Sequence, residues 1–286
     1  MNNKSPTSLS PLPRISRRAF VAYAATATLG SVLDSVAAQA VSAESDLTEK
    51  LSPAVQMQFM RPAQLEKAIR KFPVVYVPFG LIEWHGRHLP LGNDAIKAHA
   101  ILVKTAEQFG GAVYPPVYFH DGFPQQFLVP VLAELFQRLK KTGFRVIVGV
   151  SGHNVRGQID MINKALEPVS ADGTVAGIAL WEVTLSQGAE SNTDHAAKWE
   201  TSNMMFFYPE LVELGALGDG PLAPDMKAPD GIGGLDPRKH ASAGIGRRNV
   251  ELASRAIGNK ARELLDKLPA KTSEPPAIVP GHWWMI

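Results

Sequence analysis

The 286 residues combine 45% hydrophobic with 20% charged content, a balance that excludes intrinsic disorder and suffices for a large core. With 29 Lys and Arg against 27 Asp and Glu the net charge is +2, and no basic block follows the first eighteen residues, which excludes a nucleic-acid footprint. The chain has 0 cysteines, so thiolate metal sites, disulfides and a cysteine nucleophile are excluded and any metal must rest on histidines and carboxylates.

Residues 1–40 have the three parts of an export signal: the charged stretch Ser16-Arg17-Arg18-Ala19-Phe20, an apolar run from Val21 to Leu33, and the small-residue cleavage site Ala38-Gln39-Ala40. The paired arginines resemble the twin-arginine signal used to export folded proteins, so the expected destination is the periplasm or the medium. The apolar run is short and rich in Ala and Thr, too weak for a spanning helix, so no membrane partner is expected after its removal. Residues 41–286 contain no repeat and no long linker, and are read as one domain.

Strands and helices alternate along it. Phe72–Phe79 reads as a buried strand, Ala95–Phe109 as an apolar-faced helix stopped by Gly110-Gly111, and Val113–Phe119 as a second strand. Val129–Lys141 carries the helical spacing of Val129, Leu132, Leu135, Phe136 and Leu139, and Arg145–Val150 is so uniformly apolar that it is expected to be buried on both faces. A helix over Gly157–Leu166, a strand over Val175–Thr184 and a helix over Ala196–Phe207 complete the pattern. Such alternation predicts an α/β fold, a three-layer α/β/α sandwich with a mainly parallel sheet and ligands at the carboxyl ends of its strands.

Three clusters of polar residues fall at those ends. After the first strand, Glu83 and His85 stand two apart on extended chain and point the same way, and Pro90 and Gly92 can turn the chain so that Asp94 returns to them at a helix start. A carboxylate there can bridge two divalent ions, although a lone one is usually only a cap. His153 occupies the strand–turn–helix corner after Val150. His195 and Glu200 lie five apart, about 140° around a helix, so they reach one pocket only if His195 sits in the cap or loop. The same corner offers Ser151 as a nucleophile elbow, but the last position of that pattern is the bulky His153. Trp181, near a strand end, is the tryptophan best placed to clamp a substrate; Trp84, Trp199, Trp283 and Trp284 are read as packing. His88 is read as structural, bonded to loop backbone, and His99, His120, His240 and His282 as lying at surfaces or beneath loops.

The motif Glu83-x-His85-Gly86-x-His88-Leu89-Pro90-x-x-x-Asp94, followed by Ser151-Gly152-His153 and by His195-Ala196-x-x-x-Glu200-Thr201-Ser202, resembles the creatininase (creatinine amidohydrolase) family. The likeness extends through Pro209-Glu210-Leu211-Val212 to Gly233-Gly234-x-Asp236-Pro237-Arg238 and spans about residues 70–265. It implies a two-metal amidohydrolase (Zn²⁺, Mn²⁺ or Fe²⁺) in which Glu83, Asp94 and His153 hold one ion while His85 and the bridging Asp94 hold the other with one further carboxylate. In creatininase that carboxylate is two residues after the histidine matching His153. Here that position is Val155, and Glu200 is the candidate replacement. The resemblance also implies His195 as general acid, a substrate bordered by the corner that holds Asn154, and a homo-oligomer, perhaps a hexamer, acting on a small molecule. The reading is metal-dependent hydrolysis of a cyclic amide or other non-peptide C–N bond. A non-catalytic exported metal- or ligand-binding protein and a serine hydrolase using Ser151 are the alternatives.

Overall fold

A run of β-branched and aromatic residues makes Val74–Ile82 (β1) the strand around which the chain assembles, buried at every position but its last. The computed structural model describes residues 50–120, 122–182, 193–228 and 230–270; the expected signal over 1–40, His282 and Trp283-Trp284 lie outside them. Helix α1 (Pro62–Lys71) precedes β1, α2 (Asn93–Phe109) follows, and the short strands β2 (Ala112–Val113) and β3 (Val117–His120) come next. Then come α3 (Gln125–Thr142), β4 (Val146–Ser151), α4 (Arg156–Ser170) and β5 (Ala176–Trp181). Helices α5 (Lys198–Phe207), α6 (Pro237–His240) and α7 (Ala243–Asp266) close the fold.

The sheet runs β2-β1-β4-β5 with β3 also beside β1, and every pairing is parallel. Strand alternation divides the core in two. Val75, Val77, Phe79 and Ile147 face Leu132, Phe136, Ile162 and Leu166 of α3 and α4, while Val74, Tyr76, Val146, Val148 and Val150 face Ile101, Val103, Phe206 and Ile257 of α2, α5 and α7. This is the α/β/α arrangement expected from the sequence, and β4 is buried at all six positions.

The elements depart from the expectation most in three places. The single strand expected over Val113–Phe119 is two strands, because Pro115 and Pro116 lack the amides a ladder needs. Helix α3 begins four residues before Val129 and tolerates Pro130. The 24-residue α7 had no counterpart in the periodicity reading: its buried stripe of Gly246, Val250, Ala253, Ile257, Gly258 and Ala261 is built largely from small residues.

Candidate metal centre

The carboxyl ends of β1 and β4 meet the N-terminus of α2 at very close range. A Cβ on Gly80 would lie 2.2 Å from the Ala95 amide nitrogen, and one on Gly152 2.0 Å from the Asp94 carbonyl oxygen. Only glycine admits this approach, and it places Asp94 in the first turn of α2, where the helix dipole favours a negative charge. Asp94 Oδ2 accepts from the Leu81 amide at 3.3 Å. The loop between β1 and α2 returns as expected, held by the Glu83 amide donating to the Leu91 carbonyl at 3.0 Å.

Two three-residue groups share Asp94. In the first, His153 Nδ1 lies 3.0 Å from Glu83 Oε1 and 3.4 Å from Asp94 Oδ2. In the second, His85 Nε2 lies 3.0 Å from Asp94 Oδ1 and 3.6 Å from Glu200 Oε2. The ligand atoms of each group fall within 4.8 Å of one another, a spacing that can hold a metal ion. The two groups therefore use different oxygens of one buried carboxylate. Val155 is half exposed and contributes nothing here; Glu200 stands in the second group.

The surroundings demand positive charge. Burial disfavours the His153 imidazolium, yet hydrogen bonds to Asp94 and Glu83, with their charges, outweigh it and push the pKa up to about 9. His85, fully buried, is also raised: burial opposes its charge but the bond to Asp94 and the nearby Glu200 prevail. Burial would raise Asp94, but its bonds to His153 and His85 and the charge of Lys97 hold it well below the usual carboxylate range. A set of hard oxygens and imidazole nitrogens without thiols suits Zn²⁺, Mn²⁺ or Fe²⁺.

His195 lies in the loop before α5, where its backbone pairs with Gly233, so the unfavourable angle to Glu200 does not apply. Its ring stacks on His85 with centroids 4.6 Å apart, and Nε2 meets the Trp84 carbonyl oxygen at 2.8 Å. That oxygen only accepts, so Nε2 carries the proton. Ala196, next in the chain, has φ 52, left-handed backbone that costs about 1 kcal/mol for a non-glycine residue. This conformation aims its amide at Glu200 Oε2, 2.7 Å away.

Three residues of the site were given no role in the sequence reading. Lys97, fully buried one turn after Asp94, puts Nζ 2.5 Å from Glu200 Oε1, 2.6 Å from Glu182 Oε1 and 2.8 Å from the Gly152 carbonyl oxygen. A lone cation between Ile96 and Ala98 of an apolar helix was the available signal. Glu182 follows Trp181, and alternation sends neighbouring side chains to opposite faces. Trp181 accordingly packs against the core beneath α3 and α4. Asp194 accepts from the amides of Trp199 and Glu200, two donors that a helix start leaves open.

Other assignments sort themselves by contact. Asn154 is half-buried, with Oδ1 lacking a hydrogen-bond partner among the described residues. His88 bonds the Thr201 hydroxyl at 3.0 Å. His99 is buried within α2 rather than under a loop. The Ser151 hydroxyl is fully buried and bonded to Gln158 and the His153 backbone, so the described residues give it no imidazole base.

The family model for creatininase (creatinine amidohydrolase) matches residues 58–268. The chain belongs to the creatininase family. It is 24% identical over 217 residues to creatinine amidohydrolase of Pseudomonas putida, covering 65% of this chain and 82% of that one. It is 31% identical over 169 residues to the mycofactocin precursor peptide peptidase of Mycolicibacterium smegmatis, covering 53% of this chain and 65% of the relative, less than two thirds of its length. A creatininase crystal structure superposes with a TM-score of 0.62 at 20% identity, over 77% of this chain and 100% of that one. Solved creatininases include a Zn-Zn form and a Mn form. The protein is thus a creatininase-family hydrolase with candidate metal-binding groups.

Proposed function

We propose that this creatininase-family protein is a metal-dependent amidohydrolase that cleaves a cyclic amide or another small C–N bond. The observation that carries this reading is the pair of ligand groups sharing Asp94. Glu83, Asp94 and His153 would hold one divalent ion, and His85, Asp94 and Glu200 a second. Ions bound there lower the pKa of water to about 7 and polarise a carbonyl.

The chain's own residues supply the rest. Glu200, fixed by Ala196 and Lys97, presents one oxygen to His85, and Asp94 is held by Leu81 while it serves both groups. His195 is half-buried within ligand distance of Glu83 and His85; its Nε2–H stays on the Trp84 carbonyl, so Nδ1 is the atom that would take the proton of the attacking water and pass it to the departing nitrogen. Beside His153 a cleft of about 170 Å³ is lined by Leu81, Phe119, Phe123, Leu128, Val155 and Met161, with His120, Gln125 and Gln158 among them. Its apolar wall favours a substrate with a hydrophobic substituent. The relative that acts on a precursor peptide makes a short apolar peptide the second substrate class to assay.

The test is turnover of lactams, cyclic ureas, formamides and short apolar peptides, before and after chelation. Chelator-sensitive, metal-restored hydrolysis of one class supports the reading; metal-independent hydrolysis refutes it. We also propose export through the twin-arginine signal: Arg17→Lys with Arg18→Lys should hold the precursor in the cytoplasm, and normal export of that variant would refute this. Phe127 and Val131, 62% and 64% exposed one turn apart on α3, support a homo-oligomer. A monomer by light scattering would contradict it.

A further inference from the structure

Lys97 stands where a two-metal carboxylate site has least need of a cation. Its ammonium is fully buried, 2.5 Å from Glu200 Oε1 and 3.9 Å from Asp94 Oδ1, the two carboxylates of the second group. The other Glu200 oxygen already accepts from Ala196 at 2.7 Å while facing His85. Much of the negative charge that would attract a second divalent ion is therefore already neutralised by the protein. The first group meets Asp94 through Oδ2 and draws its other ligands from Glu83 and His153, on the ends of β1 and β4.

We propose that Lys97 is a resident cation of the second site, a positioning residue that fixes Glu200 and weakens the second ion. The chain then holds one ion tightly at Glu83, Asp94 and His153, and a second, exchangeable ion at His85, Asp94 and Glu200. Glu182 is the partner that makes a buried ammonium tolerable. Its carboxyl lies 2.6 Å from Nζ, the residue is itself 2% exposed, and the side chain has no other hydrogen-bond partner among the described residues. Such a pair costs desolvation on both sides, and a site needing only a tight dinuclear centre gains nothing from it. Weakening one ion leaves a coordination position that substrate and product can exchange through.

The inference rests on the proposed metal centre, and metal stoichiometry tests it without any assay of turnover. Wild-type chain grown with ample metal is passed through metal-free buffer, analysed for elements, and titrated with Mn²⁺ under electron paramagnetic resonance. It should retain close to one ion per chain and bind the second at least about 100-fold more weakly, a lower bound for a nearby unit charge whose field Glu182 partly offsets. The double substitution Lys97→Met with Glu182→Gln removes the ammonium beside Glu200 together with the carboxyl group that would otherwise be left buried without its partner, and should narrow that gap to about tenfold or less and give the spin-coupled spectrum of a paired site. Two equally tight ions in the wild type, or an unchanged gap in the double variant, overturn the role of Lys97 alone. Retention of no ion and no Mn²⁺ binding overturn the metal centre as well. The wild-type measurement decides the matter even if the double variant does not fold.

Discussion

Gly152→Ala adds one methyl group at the point where the site is tightest. The new Cβ would lie 2.0 Å from the Asp94 carbonyl oxygen, 2.6 Å from its carbonyl carbon and 3.0 Å from its Cα. All three are backbone atoms, so no rotamer relieves the clash, and reaching ordinary contact at 3.4 Å requires β4 and α2 to part by about 1.4 Å. Overpacking of this kind costs about 1–3 kcal/mol, a fall of roughly 3–10 °C in Tm for a domain of this size. The functional loss should be larger, because Asp94 belongs to both ligand groups. A displacement near 1 Å costs on the order of 100-fold in turnover. Thermal unfolding by circular dichroism and elemental analysis read the two effects separately. Gly157→Ala is the control: its Cβ would meet only Gln125 Nε2 at 3.5 Å, so stability and metal content should be unchanged or slightly raised. If Gly152→Ala keeps wild-type Tm and metal content, the close approach of β4 to Asp94 does not build the site.

Glu200→Gln should lower occupancy at one site more than at the other and reduce turnover sharply, because a neutral amide is a poor ligand for a hard cation; equal occupancy by elemental analysis would remove Glu200 from the ligand set. His195→Ala should retain its metal yet slow turnover by about 10²–10⁴-fold, and an unchanged rate would end its assignment as general acid. His99 is held down to about 4 by burial, against 6.5 in the unfolded chain, so the unfolded state takes up the proton first as the pH falls. The stability due to neutral His99 is complete above pH 6.5 and shrinks by about 3 kcal/mol towards pH 4. His99→Leu should flatten urea-derived stability across that window, leaving the similar contribution of His88, and an unaltered slope would refute the assignment.

What the sequence displayed was largely what two periodicities can carry. Strand and helix alternation gave the layered sheet, and Arg145–Val150 announced its own burial on both faces because a central parallel strand has no polar side. Glu83, His85 and Asp94 were legible because two of them share an extended face and the third sits at a helix start. Glu200 was reached from a departure, Val155, and the structure sets it beside His85 and Asp94. Helix α7 was hidden because small residues bury a helix without raising its hydropathy. Lys97 and Glu182 were hidden for a different reason. Each is a charge whose partner comes from another part of the chain, 85 positions away, and no local pattern announces such a pair. Trp181 drew attention as an aromatic at a strand end, whereas alternation turns it to the core and sends its neighbour Glu182 to Lys97.

The most direct measurement is the metal content of purified wild-type chain beside Asp94→Ala, both from metal-replete growth. Asp94 is the one side chain common to both ligand groups, so its loss removes a ligand from each at once. The account predicts at least one divalent ion per wild-type chain and loss of most of it in Asp94→Ala, with the fold retained by circular dichroism. A wild-type chain free of metal, or an Asp94→Ala chain with its full complement, would contradict the metal centre on which the proposed hydrolysis depends.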